Sequence, residues 1–451
     1  MRCSVLFLVT MLSAATATGT PRAFADPSAG DTRRPDATAP APGTHASDAG
    51  VTVGSSSVID PVPRPITLEE AVSMARQNAV AVIKAAGQKQ TSDAEVRSAY
   101  AAFLPSVSLS AGTRQSTSVA VGSITLFEGG RRIFELQQAR TRQASAVIDG
   151  TTQAFVATLA AKQQFFNVLQ ARETEMAAKA QLAQAEQQGR VANARVRART
   201  ATRSDSLRAE IQVRSARIAV QNARDAASMA GSALTRIVGS PDPVTATEGD
   251  SLGSAGLAVT DESLRVLAES GPDVRQAEQA LSAAQTARRS AWVGYLPSVT
   301  ASYSRGTGGG SGIAWQDGSG FSPTGSMRLS LSLPLFNQLQ REGQITQAEV
   351  AVHNAEASLR DARLSAREVI FQLLVAFRSA QDRAASQELN VETAVEDLRV
   401  QQLRYAEGAS TLLDLLTSQT QLDQARRDLI QARYDRRVVK AQIEALVGRD
   451  L

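Results

Sequence analysis

Two kinds of hydrophobic spacing run along the chain, and each occurs twice. Val299, Ala301 and Tyr303 alternate with Thr300, Ser302 and Ser304; further on, Met327, Leu329, Leu331 and Leu333 alternate with Arg328, Ser330 and Ser332. Period two predicts strands with one apolar and one polar face. An earlier pair repeats the pattern, with Val107, Leu109 and Ala111 set between serines and a second strand over about 118–127. Its alternation slips between Val121 and Ile124, which predicts a bulge near Gly122. Each strand is about 8–10 residues, close to the roughly 9–11 that cross a bilayer when tilted. The other spacing is helical. No proline interrupts the chain from Gly130 to Arg199, and Phe165, Phe166, Val168 and Leu169 mark a wide apolar belt within it. A helix of about 70 residues would be roughly 105 Å long. The chain then turns and returns over about 205–239, with alanines that allow close antiparallel packing.

The two spacings belong to one duplicated unit. Leu104-Pro105-Ser106-Val107 recurs as Leu296-Pro297-Ser298-Val299, an offset of 297 − 105 = 192. Leu126-Phe127 recurs as Leu335-Phe336, an offset of 336 − 127 = 209, and Asp205/Asp414 and Val238-Gly239/Val447-Gly448 keep that offset. The halves therefore align without a gap over the helical part, and all the extra length falls within the strand pair. Loops tolerate insertion and packed helices do not. The expected layout is a signal peptide over 1–25, a disordered linker over 26–65, repeat 1 over 66–239 and repeat 2 over 259–451. Repeat 1 has strands at about 106–127 and a helical hairpin at about 130–239. Repeat 2 has strands at about 298–336 and a hairpin at about 338–448. The Pro- and Gly-bearing stretch 240–258 links them.

The distal turns share a motif. Thr202-Arg203-Ser204-Asp205 aligns with Thr411-Leu412-Leu413-Asp414, a T-x-x-D spacing in which Thr202 and Thr411 cap the returning helix and Asp205 and Asp414 complement its N-terminus. Gly408 precedes the second turn, followed by Ala409 and Ser410, and Arg199 stands at the Gly408 position in repeat 1. Capping alone accounts for the two aspartates. A ring of Asp414 carboxylates would in addition repel itself and attract cations, as a gate does. The basic cluster Arg190, Arg195, Arg197 and Arg203 reads as a solvated face or as a surface for a partner's helices.

Composition narrows the class. Arg2, the apolar Val5–Leu12 run and Ala23-Phe24-Ala25 read as an export signal. No later stretch reaches the length of a helical membrane span. The single cysteine, Cys3, falls inside the signal, so neither a disulfide nor N-terminal lipidation is expected. Aromatic content is 4% and net charge +4, which suits long packed helices better than a globular core or a nucleic-acid surface. Catalysis, metal and cofactors find no residues: the histidines are His45 in the linker and His353 on a helix, and Gly306–Gly312 lacks the Lys-Ser/Thr of a phosphate loop. That loop reads as external, with Trp315 and Phe321 at a membrane interface. Four strands can neither bury one another nor close a barrel, whose smallest membrane form has about eight. If they span a membrane, several subunits share one barrel. The rival class is a periplasmic coiled-coil or adaptor protein that never inserts, for which four strands have no use.

These residues resemble the TolC-like outer-membrane factor family over about residues 66–448. The resemblance is carried by Ile66-Thr67-Leu68-Glu69-Glu70-Ala71, the two LPSV corners, Leu126-Phe127-Glu128-Gly129-Gly130, Pro334-Leu335-Phe336-Asn337, and Arg404-Tyr405-Ala406-Glu407-Gly408-Ala409-Ser410 followed by Asp414. It implies a mainly α homotrimer in which four transmembrane strands per chain make one 12-stranded barrel, continuous with a periplasmic α-barrel of coiled-coil hairpins. It implies an outer-membrane location and partnership with a periplasmic adaptor and an inner-membrane transporter. It implies that Tyr405 helps latch the closed tip, that the turn at Gly408, Ala409 and Ser410 meets the adaptor, and that Asp414 narrows the pore. Thr417 stands where some members carry a second acid. Arg199 and Arg203 make the repeat-1 turn a divergent contact, and Arg199 argues against the same docking there.

Overall fold

A computed structural model describes residues 63–108, 117–247, 259–307 and 323–451. The expected signal, His45, most of the first linker, residues 248–258 of the second, and the loop bearing Trp315 and Phe321 lie outside the described residues.

Two helices of equal length dominate: α3 (Arg131–Arg197) and α7 (Gln340–Ala406), each 67 residues. At about 1.5 Å per residue each is roughly 100 Å long. Their return helices, α4 (Arg203–Val238) and α8 (Leu412–Val447), are each 36 residues. The equal lengths are the structural counterpart of the gap-free alignment. Shorter helices complete each repeat: α1 (Leu68–Asn78) and α2 (Val80–Ala101) in the first, α5 (Asp261–Ala268) and α6 (Pro272–Ala291) in the second. The sequence reading had not drawn these out. Within its own repeat, each long helix packs first on the longer of the preceding short helices and then on its return helix. Near its start α3 meets α2, where Gln143 donates to Asp93 at 2.7 Å; farther on it meets α4, where Gln164 donates to the Ala230 carbonyl at 3.0 Å. Likewise α7 meets α6 through Arg363 and Glu278 at 2.9 Å, then α8 through Arg433 and Glu388 at 3.1 Å.

The apolar core sits where the short helices cross the long ones. Ile66, Phe165, Val168, Leu234 and Val238 pack in the first repeat, with Tyr434 reaching in from the second. Leu264, Ile370, Leu374, Phe377, Ile443 and Val447 pack in the second. Phe165/Leu374, Val168/Phe377, Leu234/Ile443 and Val238/Val447 are equivalent pairs at the 209 offset. Two short strands lie at the expected linkers. Arg64–Ile66, which begins in the expected linker, is a strand (β1) pairing in parallel with Val244–Ala246 (β4) of the expected inter-repeat linker. A short apolar segment (Ile66 is 1% exposed) gains its ladder only from a partner far along the chain, so local pattern gives no sign of it.

The remaining strands are β2 (Ser106–Ser108), β3 (Thr117–Glu128), β5 (Ser298–Thr307) and β6 (Pro323–Ser332). They form one antiparallel sheet in the order β2-β3-β5-β6. The hairpins of the two repeats thus lie side by side, joined through β3 and β5. The bulge expected near Gly122 is absent, since Gly122 pairs regularly with Tyr303. The register shifts instead between Ser118 and Ala120 and between Thr125 and Phe127. Below the sheet, Gly129 is left-handed at φ 59°, and a Cβ there would lie 2.4 Å from the Cβ of Leu296. Only glycine lets the LFEGG corner of repeat 1 close on the LPSV corner of repeat 2. On the repeat-2 side Arg341, 7% exposed, donates to the carbonyls of Gly294 and Leu335 and stacks 4.6 Å from the Tyr295 ring centroid.

Candidate functional site at the helical turns

Both long hairpins end in turns of the same construction. After α3, the N–H of Thr200 donates to the Arg195 carbonyl at 2.9 Å and that of Arg199 to Val196 at 3.0 Å; after α7, Ala409 donates to Arg404 at 2.7 Å and Gly408 to Tyr405 at 3.2 Å. This pair of closures is the Schellman motif, which requires a left-handed residue just past the helix. Gly408 supplies it at φ 74°, where glycine has no steric cost, and Arg199 supplies it at φ 58°. A Cβ in that conformation costs about 1–2 kcal/mol.

The return helices then open on matching capping boxes. The Asp205 N–H donates to Thr202 Oγ1 at 3.3 Å, while Asp205 Oδ2 accepts from the Thr202 N–H at 3.0 Å and its hydroxyl at 2.8 Å. The Thr411/Asp414 distances are 3.2, 2.9 and 2.8 Å. Two donors feed one oxygen of each carboxylate, at the positive end of a helix. The Thr202 hydroxyl, then its backbone N–H, hold the Asp205 carboxyl below its usual range; for Asp414 the Thr411 N–H leads and the hydroxyl follows. Both remain ionised at neutral pH. Asp414 is solvent-exposed despite its bonds, so a cap and an outward charge coexist in one side chain. Thr417 turns its hydroxyl back to the Leu413 carbonyl at 2.9 Å.

One contact joins the turn regions of the two repeats. The Arg195 guanidinium lies 4.2 Å from the Tyr405 ring centroid and donates to the Ala406 carbonyl at 3.0 Å. It therefore bridges the end of α3 and the end of α7. Beside it is a cleft of about 550 Å³ bounded by Gln184, Gln188 and Val191 of α3 and by Tyr405, Leu412 and Leu415. Leu412, Leu415 and Leu422 are buried with Leu398 against α7. Gly408, Ala409, Thr411 and Asp414 are exposed, as are Arg199, Thr202 and Arg203; Tyr405, Ser410 and Asp205 are half-buried.

The α3–α8 seam behind this tip holds polar groups that the sequence reading missed. Gln419 is fully buried and Asp423 is 6% exposed. Neither amide atom of Gln419, nor those of Gln188, nor Oδ2 of Asp423 has a hydrogen-bond partner among the described residues. Burial pushes the Asp423 carboxyl up, against a downward pull from Arg426, Arg427 and a bond to Gln181. The signal was present: Leu412, Leu415, Gln419 and Leu422 keep 3-and-4 spacing, which places Gln419 in the apolar stripe. Among the described residues no cluster of His, Cys, Asp or Glu is placed to hold a metal. No described helix is long and apolar enough to cross a membrane.

Comparison with known proteins gives this geometry a family. The chain is similar to Protein CyaE of Bordetella pertussis, 28% identical over 341 residues that make up 70% of each chain. It superposes on a membrane protein from Pseudomonas aeruginosa with a TM-score of 0.74 at 19% identity, covering 84% of this chain and 93% of that one. It superposes on the open state of the MtrE outer membrane channel of Neisseria gonorrhoeae with a TM-score of 0.70 at 21% identity, covering 85% and 89%. At such identities the superpositions speak for the fold. The profile of the outer membrane efflux proteins matches residues 71–240 and 264–449, one stretch in each repeat. The chain therefore belongs to the outer membrane efflux protein family, whose members are non-enzymatic channels.

Proposed function

We propose that this protein is one subunit of a homotrimeric outer-membrane channel. It receives substrates from a periplasmic adaptor and an inner-membrane transporter and passes them to the exterior. The observation that carries this reading is the unclosed sheet. On β6, Met327, Leu329 and Leu331 are 78%, 65% and 71% exposed, and they share a face with Tyr303 across the ladder. A row of large apolar side chains facing outward suits lipid and would be a liability in water. The polar face is lined instead by groups such as Thr300 and Ser330, hydrogen-bonded at 2.9 Å. A sheet with open edges in a bilayer leaves backbone groups unsatisfied, so its edges must be paired by neighbouring chains. Three chains supply twelve strands, and their long hairpins supply a periplasmic α-barrel.

In this arrangement the turns form the periplasmic tip. Asp414 lines the constriction as an ionised ring, and the Arg195–Tyr405 contact holds the repeat-2 turn against repeat 1. Gly408, Ala409 and Ser410, with Arg199 and Arg203, form the surface that meets the adaptor. The test is fractionation: heat-modifiable trimer bands in the outer membrane are expected. Recovery as a soluble periplasmic monomer would overturn the reading in favour of a coiled-coil protein that does not insert.

A further inference from the structure

The two turns share a backbone and differ in charge. Over residues 195–208 the first carries five arginines against Asp205. Over the aligned 404–417 the second carries Arg404 against Glu407 and Asp414. Since both build the same Schellman closure and capping box, the fold does not call for the extra arginines. Arg197, Arg199 and Arg203 align with Ala406, Gly408 and Leu412. All three are exposed, and none of their guanidinium groups has a hydrogen bond or ion pair among the described residues. The nearby carboxylates are engaged elsewhere: Asp205 in its cap, Glu186 with Arg217 at 3.1 Å and Glu210 with Arg214 at 2.6 Å. Arg199 also occupies a left-handed position that its counterpart fills with glycine. A strained residue retained at an exposed site with no internal partner points to an external one.

We propose that the repeat-1 turn is a cationic docking surface for a carboxylate-bearing segment of a partner protein, the docking tip of the periplasmic adaptor. The Gly408 turn beside it docks through close backbone approach instead. Each subunit thus offers two chemically distinct contacts at one tip. A strand of like charges raises the association rate and makes docking salt-sensitive, and it selects against partners with basic tips. Guanidinium groups suit this role because each grips a carboxylate through two parallel donors. The proposal rests on the duct reading, in which the turns are the docking end.

The experiment measures binding of the purified cognate adaptor to full-length protein in nanodiscs, at two ionic strengths. R197Q/R199Q/R203Q is expected to weaken docking roughly 10- to 100-fold and to flatten the salt dependence. Arg199→Gly relieves backbone strain, so it should raise thermal stability yet still weaken docking, which separates charge from folding. Arg199→Lys, which keeps the charge and loses the paired donors, should retain more affinity than Arg199→Gly and less than the wild type. Replacing the adaptor's tip carboxylates by lysines should restore binding to R197E/R199E/R203E. Unchanged affinity of the triple Gln variant, alongside loss in a Gly408 variant, would overturn this proposal and leave the duct intact. Binding of the wild-type turn to anionic phospholipid vesicles, with no charge effect on the adaptor, would also overturn it. Absence of any adaptor binding by the wild type would count against the duct reading itself.

Discussion

A single buried carboxyl shows how much of the tip's behaviour is set residue by residue. Asp423 lies in the α3–α8 seam with one oxygen unpartnered, and desolvation raises its pKa above the ordinary aspartate value. The unfolded chain therefore loses this proton at lower pH than the folded chain does. Between the two values the folded state holds more protons, so stability rises as pH falls through the folded pKa and the penalty is complete above it. Asp423→Asn should accordingly stabilise the protein at neutral pH by about 1–2 kcal/mol. Its advantage should fade as the pH is lowered past both values. Thermal unfolding of both proteins across a pH series measures this, and a constant difference at every pH would rule out the titration. Asp423 was not legible beforehand because the sequence shows an acid among arginines, which reads as a solvated face. Its burial is set by α3, more than two hundred positions away. Asp205 and Asp414 were legible because a capping box is local: T-x-x-D brings donor and acceptor together whatever the tertiary context.

At the scale of elements, the belt around Phe165 carries the packing that holds the helices together. Phe165 is fully buried among Ile66, Leu234 and Val238, where α1 and α4 cross α3. Phe165→Ala should cost about 3–5 kcal/mol. Its first sign should be faster amide exchange in α1, β1 and the end of α4, before the turn region loosens. Uniform loss of protection down to the Thr202 cap would mean that the hairpin unfolds as one unit. The long helices were readable from the absence of proline, and their register from the duplication, since an offset kept at Leu126, Asp205 and Val238 leaves no room for a slip. The short helices were harder. The α2 helix buries only Ala85 and Ser92 and has almost no apolar face of its own. The β1–β4 pair is legible in neither strand alone, because three residues carry no period. The bulge was misplaced for a related reason: alternation shows that a register slips, and only the partner strand β5 shows where.

Across the whole molecule, duplication without symmetry is the property that matters for a channel. In the proposed trimer, two equal hairpins provide matched lengths for a closed tube, while the residues at their ends diverge: Arg199 against Gly408, Arg203 against Leu412. In the proposed channel both turns dock, and the second also carries the constriction. The closing element is open to electrical test, because Asp414 is ionised and outward; it has Arg404 nearby as Asp205 has Arg208. In the proposed trimer, three Asp414 carboxylates converge at the narrow end. Their side chains fill the aperture and their charge holds cations there, while the Arg195–Tyr405 contact keeps the tip closed. Asp414→Ala removes both a fixed negative field and the acid of the α8 cap, so two effects must be separated. Thr411→Ala removes the threonine hydroxyl of the box and leaves the carboxylate, at a stability cost of about 1 kcal/mol. In planar bilayers Asp414→Ala is expected to raise conductance through the closed channel and to reduce its preference for cations, whereas Thr411→Ala should leave the preference in place. Equal behaviour of the two variants would assign Asp414 to the helix cap alone, and loss of cation preference in both would place the selectivity in the geometry of the turn.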